Sequence, residues 1–271
     1  QRLNILFLAI GVRSLSWEPI GQVQVIWDGK STGYKKLPDL AEIESKIAHN
    51  SSYLHYVSNE TVEGLSFGQQ AISRSQRLIC DMSSDLLSKP IQVNDFSLIY
   101  AHAQKNLGPS GVTVVIVKKD LLEVSNQSVP PILSYREHSK ANSILNTPPV
   151  FSIYVLKLVT DWLINQVGGL EEMSILNKLK SNCIYKALDD GSDFYRIHAD
   201  KPFRSDMNIA FSLRTKSLED EFLESAIKNN FTGLEGHRSI GGLRASLYNA
   251  VSVQACERLA SFMDDFRRSH P

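Results

Sequence analysis

The sequence is poor in cysteine and has no excess charge of either sign. Its three cysteines, Cys80, Cys183 and Cys256, lie far apart in apolar segments and form no CxxC pair, so they indicate neither a zinc site nor a disulfide framework. Such thiols are typical of a reducing compartment, and we expect the protein in the cytoplasm. Lysine plus arginine equals aspartate plus glutamate at 29 each, so the excess basic charge that nucleic-acid binding needs is missing.

Long uninterrupted apolar runs are missing as well. The apolar stretch at residues 151–164 is interrupted by Lys157 and Asp161, and we therefore predict that it does not span a membrane. The run at residues 5–10 is too short for the apolar part of a secretion signal. The chain has no internal repeat or low-complexity segment, and its 42% apolar and 21% charged residues are typical of a globular protein.

Short apolar runs bounded by turn residues predict the strands of an α/β fold. In the N-terminal part they lie at residues 4–8, 22–29, 53–58, 77–81, 96–100 and 112–117. Their spacing favours a mainly parallel sheet that is buried on both faces. Further strand and helix patterns after residue 190 predict a smaller α+β unit. We therefore predict a large domain over residues 1–164 and a small C-terminal domain over residues 165–271.

Two long helices are predicted around this boundary. The first follows Pro149 and carries an apolar stripe at helical spacing: Phe151, Val155, Leu158, Val159 and Trp162. The second covers residues 170–188, with a stripe of Met173, Leu176, Leu179 and Cys183. We expect both stripes to lie in the core.

A lysine between two of the strands is the first candidate for chemistry. Lys105 lies in a loop with glycine and proline at residues 101–111, between the runs at 96–100 and 112–117, which we predict to be buried strands. A lysine at the end of a core strand loses hydration, which lowers its pKa and frees the amine to attack carbonyl groups. The alternative is an ordinary solvated loop lysine.

Polar residues also follow two other strands of the predicted sheet. Asp81 ends the run at 77–81, and Thr61 follows the run at 53–58. Ligands of open parallel sheets bind outside the carboxyl ends of the strands. A lysine and a carboxylate there suit pyridoxal 5'-phosphate, which needs the lysine for a Schiff base and the acid to keep its pyridine nitrogen protonated. Taken alone, a residue such as Asp81 is more often a strand-end cap.

A basic cluster near the C-terminus is the second candidate. His237, Arg238 and Arg244 lie in a segment with several glycines, which let a ligand approach the backbone closely. Basic side chains in such a setting can bind carboxylate or phosphate, and arginine does so with two parallel hydrogen bonds. The alternative is a solvated basic turn.

Five segments carry a more specific signal. They are YVSNETVEG at 56–64, CDMSS at 80–84, AHAQKNLGPSGVTVVIV at 101–117, NTPP at 146–149 and GHRSIGGLRASLYNA at 236–250. In their residues and their order they resemble the phosphoserine aminotransferases, which are fold-type I transaminases that depend on pyridoxal phosphate. The resemblance extends over about residues 22–268.

The resemblance implies cofactor contacts. Lys105 would form the Schiff base and move the proton between the substrate Cα and the cofactor. Asp81 would pair with the pyridine nitrogen, and Thr61 and Gln104 would bind cofactor oxygens. Trp17 would stack on the pyridine ring.

The resemblance also implies substrate contacts and a homodimer with shared active sites. Arg244 would hold the substrate α-carboxylate, while His237 and Arg238 would hold the substrate phosphate. Asn146 and Thr147 would reach the cofactor phosphate of the neighbouring subunit.

The implied reaction moves the amino group of L-glutamate to 3-phosphohydroxypyruvate in L-serine biosynthesis. It gives O-phospho-L-serine and 2-oxoglutarate. A related fold-type I enzyme that acts on another amino acid is an alternative, although His237 and Arg238 argue against it because such an enzyme has no substrate phosphate to bind.

The match is poor at the N-terminus. Residues 9–14 do not resemble the glycine-rich turn that receives the cofactor phosphate, and we expect the N-terminal part of the large domain to be incomplete. The alternative function is therefore a truncated, catalytically inactive homologue that acts only as a folded or dimerising protein.

Overall fold

The computed structural model describes residues 4–9, 22–68, 72–73, 77–124 and 128–270. Trp17 and residues 10–14 of the segment considered above lie outside this range. The strands are β1 (Asn4–Ala9), β2 (Gln22–Asp28), β3 (Tyr53–Val57), β4 (Asn59–Glu60), β5 (Leu65–Ser66), β6 (Leu78–Asp81), β7 (Leu98–His102), β8 (Thr113–Val117), β9 (Tyr195–Ile197), β10 (Asn208–Leu213) and β11 (Leu243–Ser246). The α-helices are α1 (Leu40–Lys46), α2 (Lys119–Glu123), α3 (Tyr135–Lys140), α4 (Val150–Trp162), α5 (Leu170–Asp190), α6 (Lys216–Lys228) and α7 (Val253–Ser269).

A six-stranded sheet forms the centre of the N-terminal part. Its order is β2-β1-β3-β6-β7-β8, and all neighbouring strands are parallel except β7 and β8. The prediction of a mainly parallel sheet is therefore confirmed, with every predicted strand present.

The two faces of this sheet differ in polarity. Residues that share one face are buried in the first hydrophobic core: Leu54, Tyr56, Leu78, Cys80, Ile99 and Ala101. Because successive side chains of a strand point to opposite faces, His55, Asp81 and Tyr100 lie on the other face, and all three are half-buried. The register places Asp81 between Val57 and Tyr100 at the carboxyl ends of three parallel strands.

The prediction of a second buried strand next to Lys105 is wrong. β8 lies at the edge of the sheet, where Thr113 and Ile116 are exposed and the other residues are half-buried. The short connection after β7 turns the chain back as an antiparallel hairpin, so β8 has a neighbour on one side only. A run of β-branched residues indicates a strand, but it does not distinguish an edge strand from a central one.

The C-terminal part contains a second sheet and a second hydrophobic core. The antiparallel order is β11-β10-β9, and α5, α6 and α7 pack around it. Fully buried side chains of this core include Ile184, Ile209, Phe222 and Met263. The predicted small α+β unit is thus present, whereas a domain boundary between residues 164 and 165 stays a prediction.

The predicted core stripe of α4 is wrong. Phe151 is 73% exposed and Leu158 is 44% exposed, and none of the described residues of this helix is buried. Helical spacing shows which side of a helix is apolar, but not what covers that side. By length and composition alone, Val150–Val167 is also apolar enough to cross a membrane, although Lys157 and Asp161 form an ion pair on it. One such helix is weak evidence for a membrane span. Our expectation that this segment does not span a membrane stays a prediction.

The stripe predicted for α5 is only partly correct. Met173 is buried, but Leu179 is 49% exposed, because the buried face includes Asn177 and Lys180. The Lys180 amine donates hydrogen bonds of 2.9 Å to the carbonyl oxygens of residues 247 and 248, which follow β11. Burial lowers the pKa of Lys180 to about 8. Polar residues that find such partners inside a core interrupt the apolar pattern that predicts burial.

A buried hydrogen-bond network joins the two parts of the chain. Asn59, which begins β4, donates to Asn208 of β10 at 3.0 Å and accepts a hydrogen bond from Ser205. Asn106 accepts a hydrogen bond of 3.0 Å from the backbone N–H of Asn249. Both contacts lie beside residues predicted to bind the cofactor, so the network fixes the active-site loops against the C-terminal part.

Candidate active site

The turn after β7 carries Lys105, whose side chain is half-buried. Its Nζ donates a hydrogen bond of 2.5 Å to Thr61 Oγ1. Burial lowers the pKa of the Lys105 amine; the Asp81 carboxylate opposes this effect, and the Arg244 guanidinium adds to it. The predicted loss of hydration is therefore confirmed. The neutral amine that it favours is the nucleophilic form.

Asp81 lies at the carboxyl end of β6, on the polar face of the sheet. One of its carboxylate oxygens accepts a hydrogen bond of 2.8 Å from the backbone N–H of Ser83. This bond keeps the carboxylate at the strand end, where its charge acts on Lys105, His55 and Tyr100. The strand-end cap considered above is thus present, and it leaves the second carboxylate oxygen available to another donor.

Arg244 brings the C-terminal sheet to the same place. It lies on β11 opposite Ala210, and its Nη1 donates a hydrogen bond of 3.4 Å to the carbonyl oxygen of Thr61. The side chain is half-buried, and Nε has no hydrogen-bond partner among the described residues. A guanidinium with unused donors in a partly dry site is suited to bind a carboxylate.

His237 and Arg238 lie in the exposed turn before β11. The ends of this turn are held together by a hydrogen bond of 3.0 Å from Gly236 N–H to the Gly242 carbonyl oxygen. A Cβ atom at position 236 would lie 2.0 Å from the Gly241 oxygen, so only glycine fits there. His237 Nδ1 lies 2.7 Å from the Ser239 hydroxyl, whereas the Arg238 guanidinium is exposed.

The other predicted cofactor residues lie further out. Gln104 is exposed in the turn next to Lys105. Asn146 and Thr147 are exposed in the segment between α3 and α4, and Trp17 falls outside the described residues. The structure thus brings together Lys105, Thr61, Asp81 and Arg244. Among the described residues it does not bring the side chains of Gln104, Asn146 or Thr147 into contact with them, and the roles of all the predicted site residues stay predictions.

Sequence reasoning missed a buried carboxyl group next to the lysine. Burial raises the pKa of Glu60 well above its ordinary value, with the charges of Glu63 and Asp81 adding to the rise and Lys105 opposing it. One Glu60 carboxyl oxygen has no hydrogen-bond partner among the described residues. Glu60 lies inside the matched segment 56–64, but nothing in its sequence neighbourhood indicates burial.

The described residues fit pyridoxal 5'-phosphate. The cofactor needs an amine that is free to react with its aldehyde and a carboxylate that faces its ring nitrogen. Lys105 and Asp81 meet these needs on neighbouring strand ends, and their charges influence each other. The unpaired Glu60 oxygen and Arg244 Nε show that polar groups around this place lack partners within the described chain.

Comparison with known proteins gives consistent matches. The family model of the class-V aminotransferases matches residues 28–259. A phosphoserine aminotransferase from Niallia circulans is 48% identical over 250 residues, which are 92% of this chain and 68% of that protein.

Solved structures agree with this result. The phosphoserine aminotransferase from Bacillus circulans subsp. alkalophilus superposes with a TM-score of 0.91 at 45% identity, covering 100% of this chain and 75% of that one. The pyridoxal-phosphate-bound phosphoserine aminotransferase from Trichomonas vaginalis gives a TM-score of 0.84 at 31% identity, covering 97% and 76%. The predicted fold-type I architecture is therefore confirmed.

Proposed function

The chain belongs to the class-V aminotransferases and, among them, to the phosphoserine aminotransferases, and we propose that it transfers the amino group of L-glutamate to 3-phosphohydroxypyruvate. The products are O-phospho-L-serine and 2-oxoglutarate, which places the reaction in L-serine biosynthesis. The observation that carries the proposal is the half-buried Lys105 amine of lowered pKa, held between Thr61, Asp81 and Arg244.

We propose that pyridoxal 5'-phosphate is the cofactor. When bound, it supplies the aldehyde that carries the amino group and the ring that withdraws electrons from the substrate Cα. Lys105 Nζ would hold the aldehyde carbon and, once released, move the proton at the substrate Cα. Asp81 would keep the ring nitrogen protonated, and the Thr61 hydroxyl would orient the amine.

The basic residues of the C-terminal part fit a substrate with two acidic groups. Arg244 would bind the α-carboxylate, because its guanidinium lies against the Lys105 pocket. His237 and Arg238 would bind the phosphate from the exposed turn before β11. A guanidinium matches the geometry of a phosphate through paired hydrogen bonds.

We propose that two copies of the chain form a homodimer with shared active sites. The uncovered apolar face around α4 supports this, because exposed apolar patches mark interaction surfaces. Its exposed members on α4, at helical spacing, are Val150, Phe151, Tyr154 and Leu158. Ser152 at the start of α4 donates a hydrogen bond of 3.0 Å to the Ser110 carbonyl oxygen, so the start of this helix borders the Lys105 loop. Asn146 and Thr147, which precede α4, would then reach the neighbouring cofactor.

We further propose that the protein acts in the cytoplasm, without nucleic-acid or membrane partners. Cys80, Cys183 and Cys256 are free thiols, as a reducing compartment permits. The balanced charge supports small-molecule substrates rather than a polyanion.

A coupled assay separates the enzyme from the inactive alternative. We expect the chain with pyridoxal 5'-phosphate to form 2-oxoglutarate from L-glutamate only when 3-phosphohydroxypyruvate is present. Lys105→Ala should reduce this rate to background, whereas Lys118→Ala, at an exposed lysine on the same hairpin, should leave it unchanged. A parent rate no higher than that of Lys105→Ala would favour the catalytically inactive homologue.

A further inference from the structure

A second polar pair lies beside Asp81 on the same face of the sheet. His55 of β3 and Tyr100 of β7 lie on either side of β6, and Tyr100 is the register partner of Asp81. His55 Nε2 lies 2.9 Å from the Tyr100 hydroxyl oxygen. Their rings are stacked with centroids 5.9 Å apart and planes 21° apart. The hydroxyl is therefore held above β6, the strand that ends in Asp81.

The protonation states of Tyr100 and His55 determine which of the two groups donates the hydrogen bond between them. Burial raises the pKa of Tyr100, and the charge of Asp81 adds to the rise, so the phenol keeps its proton. Burial lowers the pKa of His55 to about 4, although the Asp81 charge opposes this, so the imidazole is neutral near neutral pH. An ionised carboxylate only accepts hydrogen bonds. With this protonation the Tyr100 hydroxyl can donate to Asp81, its neighbour on β6, while its oxygen accepts from Nε2–H of His55.

We propose that Tyr100 is a positioning residue that acts through Asp81, and that His55 orients the Tyr100 hydroxyl. The two residues form a donor chain that ends on the Asp81 carboxylate. This chain holds the carboxylate in place, where it faces the cofactor ring nitrogen. The inference rests on the proposed function, in which Asp81 faces that nitrogen.

Neighbouring groups supply the controls. His102 contacts Tyr100 edge-to-face with centroids 6.5 Å apart, but its Nδ1 lies 2.9 Å from the Thr113 hydroxyl. It is exposed, and among the described residues no hydrogen bond joins its side chain to Asp81. A change that affects only the packing around Tyr100 should therefore also appear in His102→Ala, whereas loss of the donor chain should not.

The test is a double-mutant cycle on cofactor affinity. The dissociation constant of pyridoxal 5'-phosphate is measured by absorbance for the full chain and for Tyr100→Phe, in the parent and in the Asp81→Asn background. In the parent we expect Tyr100→Phe to raise this dissociation constant about tenfold, because the substitution removes a hydrogen bond to a charged group. In the Asp81→Asn background the expected change in the dissociation constant is under about twofold, because a residue that acts through Asp81 loses its effect when Asp81 is replaced. Equal effects in the two backgrounds would instead indicate independent action.

Two further readouts separate positioning from packing. His55→Gln keeps an N–H donor and should retain parent affinity, whereas His55→Leu should weaken binding in the direction of Tyr100→Phe. The nitrogen-15 chemical shift of the labelled ring nitrogen should move towards the unprotonated value in Tyr100→Phe and stay at the parent value in His102→Ala.

The outcomes distinguish the inference from the function on which it rests. Equal effects of Tyr100→Phe in both backgrounds, or an unchanged nitrogen shift, would overturn the inference while cofactor binding by the parent stands. A parent chain whose cofactor absorbance does not differ from that of Lys105→Ala would overturn the proposed function and the inference together.

Discussion

Burial shifts the pKa values of Lys105 and of the neighbouring Glu60 in opposite directions. The pKa of the Lys105 amine falls and that of the Glu60 carboxyl group rises, because loss of water disfavours the charged form of each. Lys105 and Asp81 could be predicted, since strand ends can be located from apolar runs. The burial of Glu60 could not, because it depends on residues that are distant in the sequence.

His55 should make the free energy of unfolding depend on pH in the acidic range. Its folded pKa of about 4 lies below the ordinary value of 6.5, so the unfolded chain binds more protons between these values. The free energy of unfolding should therefore fall as the pH falls from 6.5 to 4, by up to about 3 kcal/mol from this residue. Urea unfolding of the cofactor-free protein across this range measures the effect. The difference between parent and His55→Gln isolates it, and parallel curves would contradict the assignment.

Arg238 should determine the preference for a substrate phosphate. Loss of a paired arginine–phosphate contact in Arg238→Gln should raise KM for 3-phosphohydroxypyruvate by about tenfold or more. The rate with unphosphorylated hydroxypyruvate should stay within about twofold. Arg196→Gln, which removes an exposed arginine from β9, is the charge-matched control. Equal losses on both substrates would count against a phosphate site and in favour of an enzyme for another amino acid.

Among the elements, those of the sheet could be predicted best. Apolar runs located β3, β6 and β7 because their buried faces lie in one core. The same reasoning failed for β8 and α4, where the pattern is apolar but a neighbour is missing on one side. Spacing within an element shows its type and its apolar side, whereas exposure depends on the rest of the fold and on partners.

The apolar face of α4 should control the oligomeric state. Phe151 is 73% exposed in the protomer, so Phe151→Glu should leave protomer folding largely intact but place charge in the proposed dimer interface. We expect its mass in sedimentation or light scattering to shift from dimer towards monomer. Ile227→Glu is the matched control, because Ile227 is 57% exposed and lies on another helix, α6. A dimer that persists in Phe151→Glu, or an equal shift in both variants, would place the interface elsewhere.

At the scale of the molecule, the catalytic groups meet because the two sheets are joined. Lys105, Thr61 and Asp81 follow strands of the large sheet, whereas Arg244 lies on β11 of the small one. The junction is built from buried polar groups such as Asn59 and backbone contacts that no apolar pattern reveals. It therefore could not be predicted from periodicity, and only the resemblance of segment 236–250 associated Arg244 with the site.

Substitution of Gly64 tests the junction between the two sheets. It has a φ of +72°, and an added Cβ would lie 2.7 Å from the Asn208 carbonyl oxygen, so Gly64→Ala should lower the free energy of unfolding by about 2 kcal/mol or more. Gly68→Ala is the control, because Gly68 has a φ of +75° but open space around its Cβ position. Urea unfolding compares them. Equal losses in the two variants would mean that backbone conformation, and not the close approach of β10, accounts for the effect.

The central claim is that Lys105 holds pyridoxal 5'-phosphate in a transaminase site. Its most direct test is to incubate the chain with the cofactor, reduce it with borohydride and locate the modified residue by peptide mass spectrometry. We predict a phosphopyridoxyl group on Lys105, and its loss when L-glutamate is added before reduction. Labelling spread over exposed lysines such as Lys118, with Lys105 unmodified, would contradict the account.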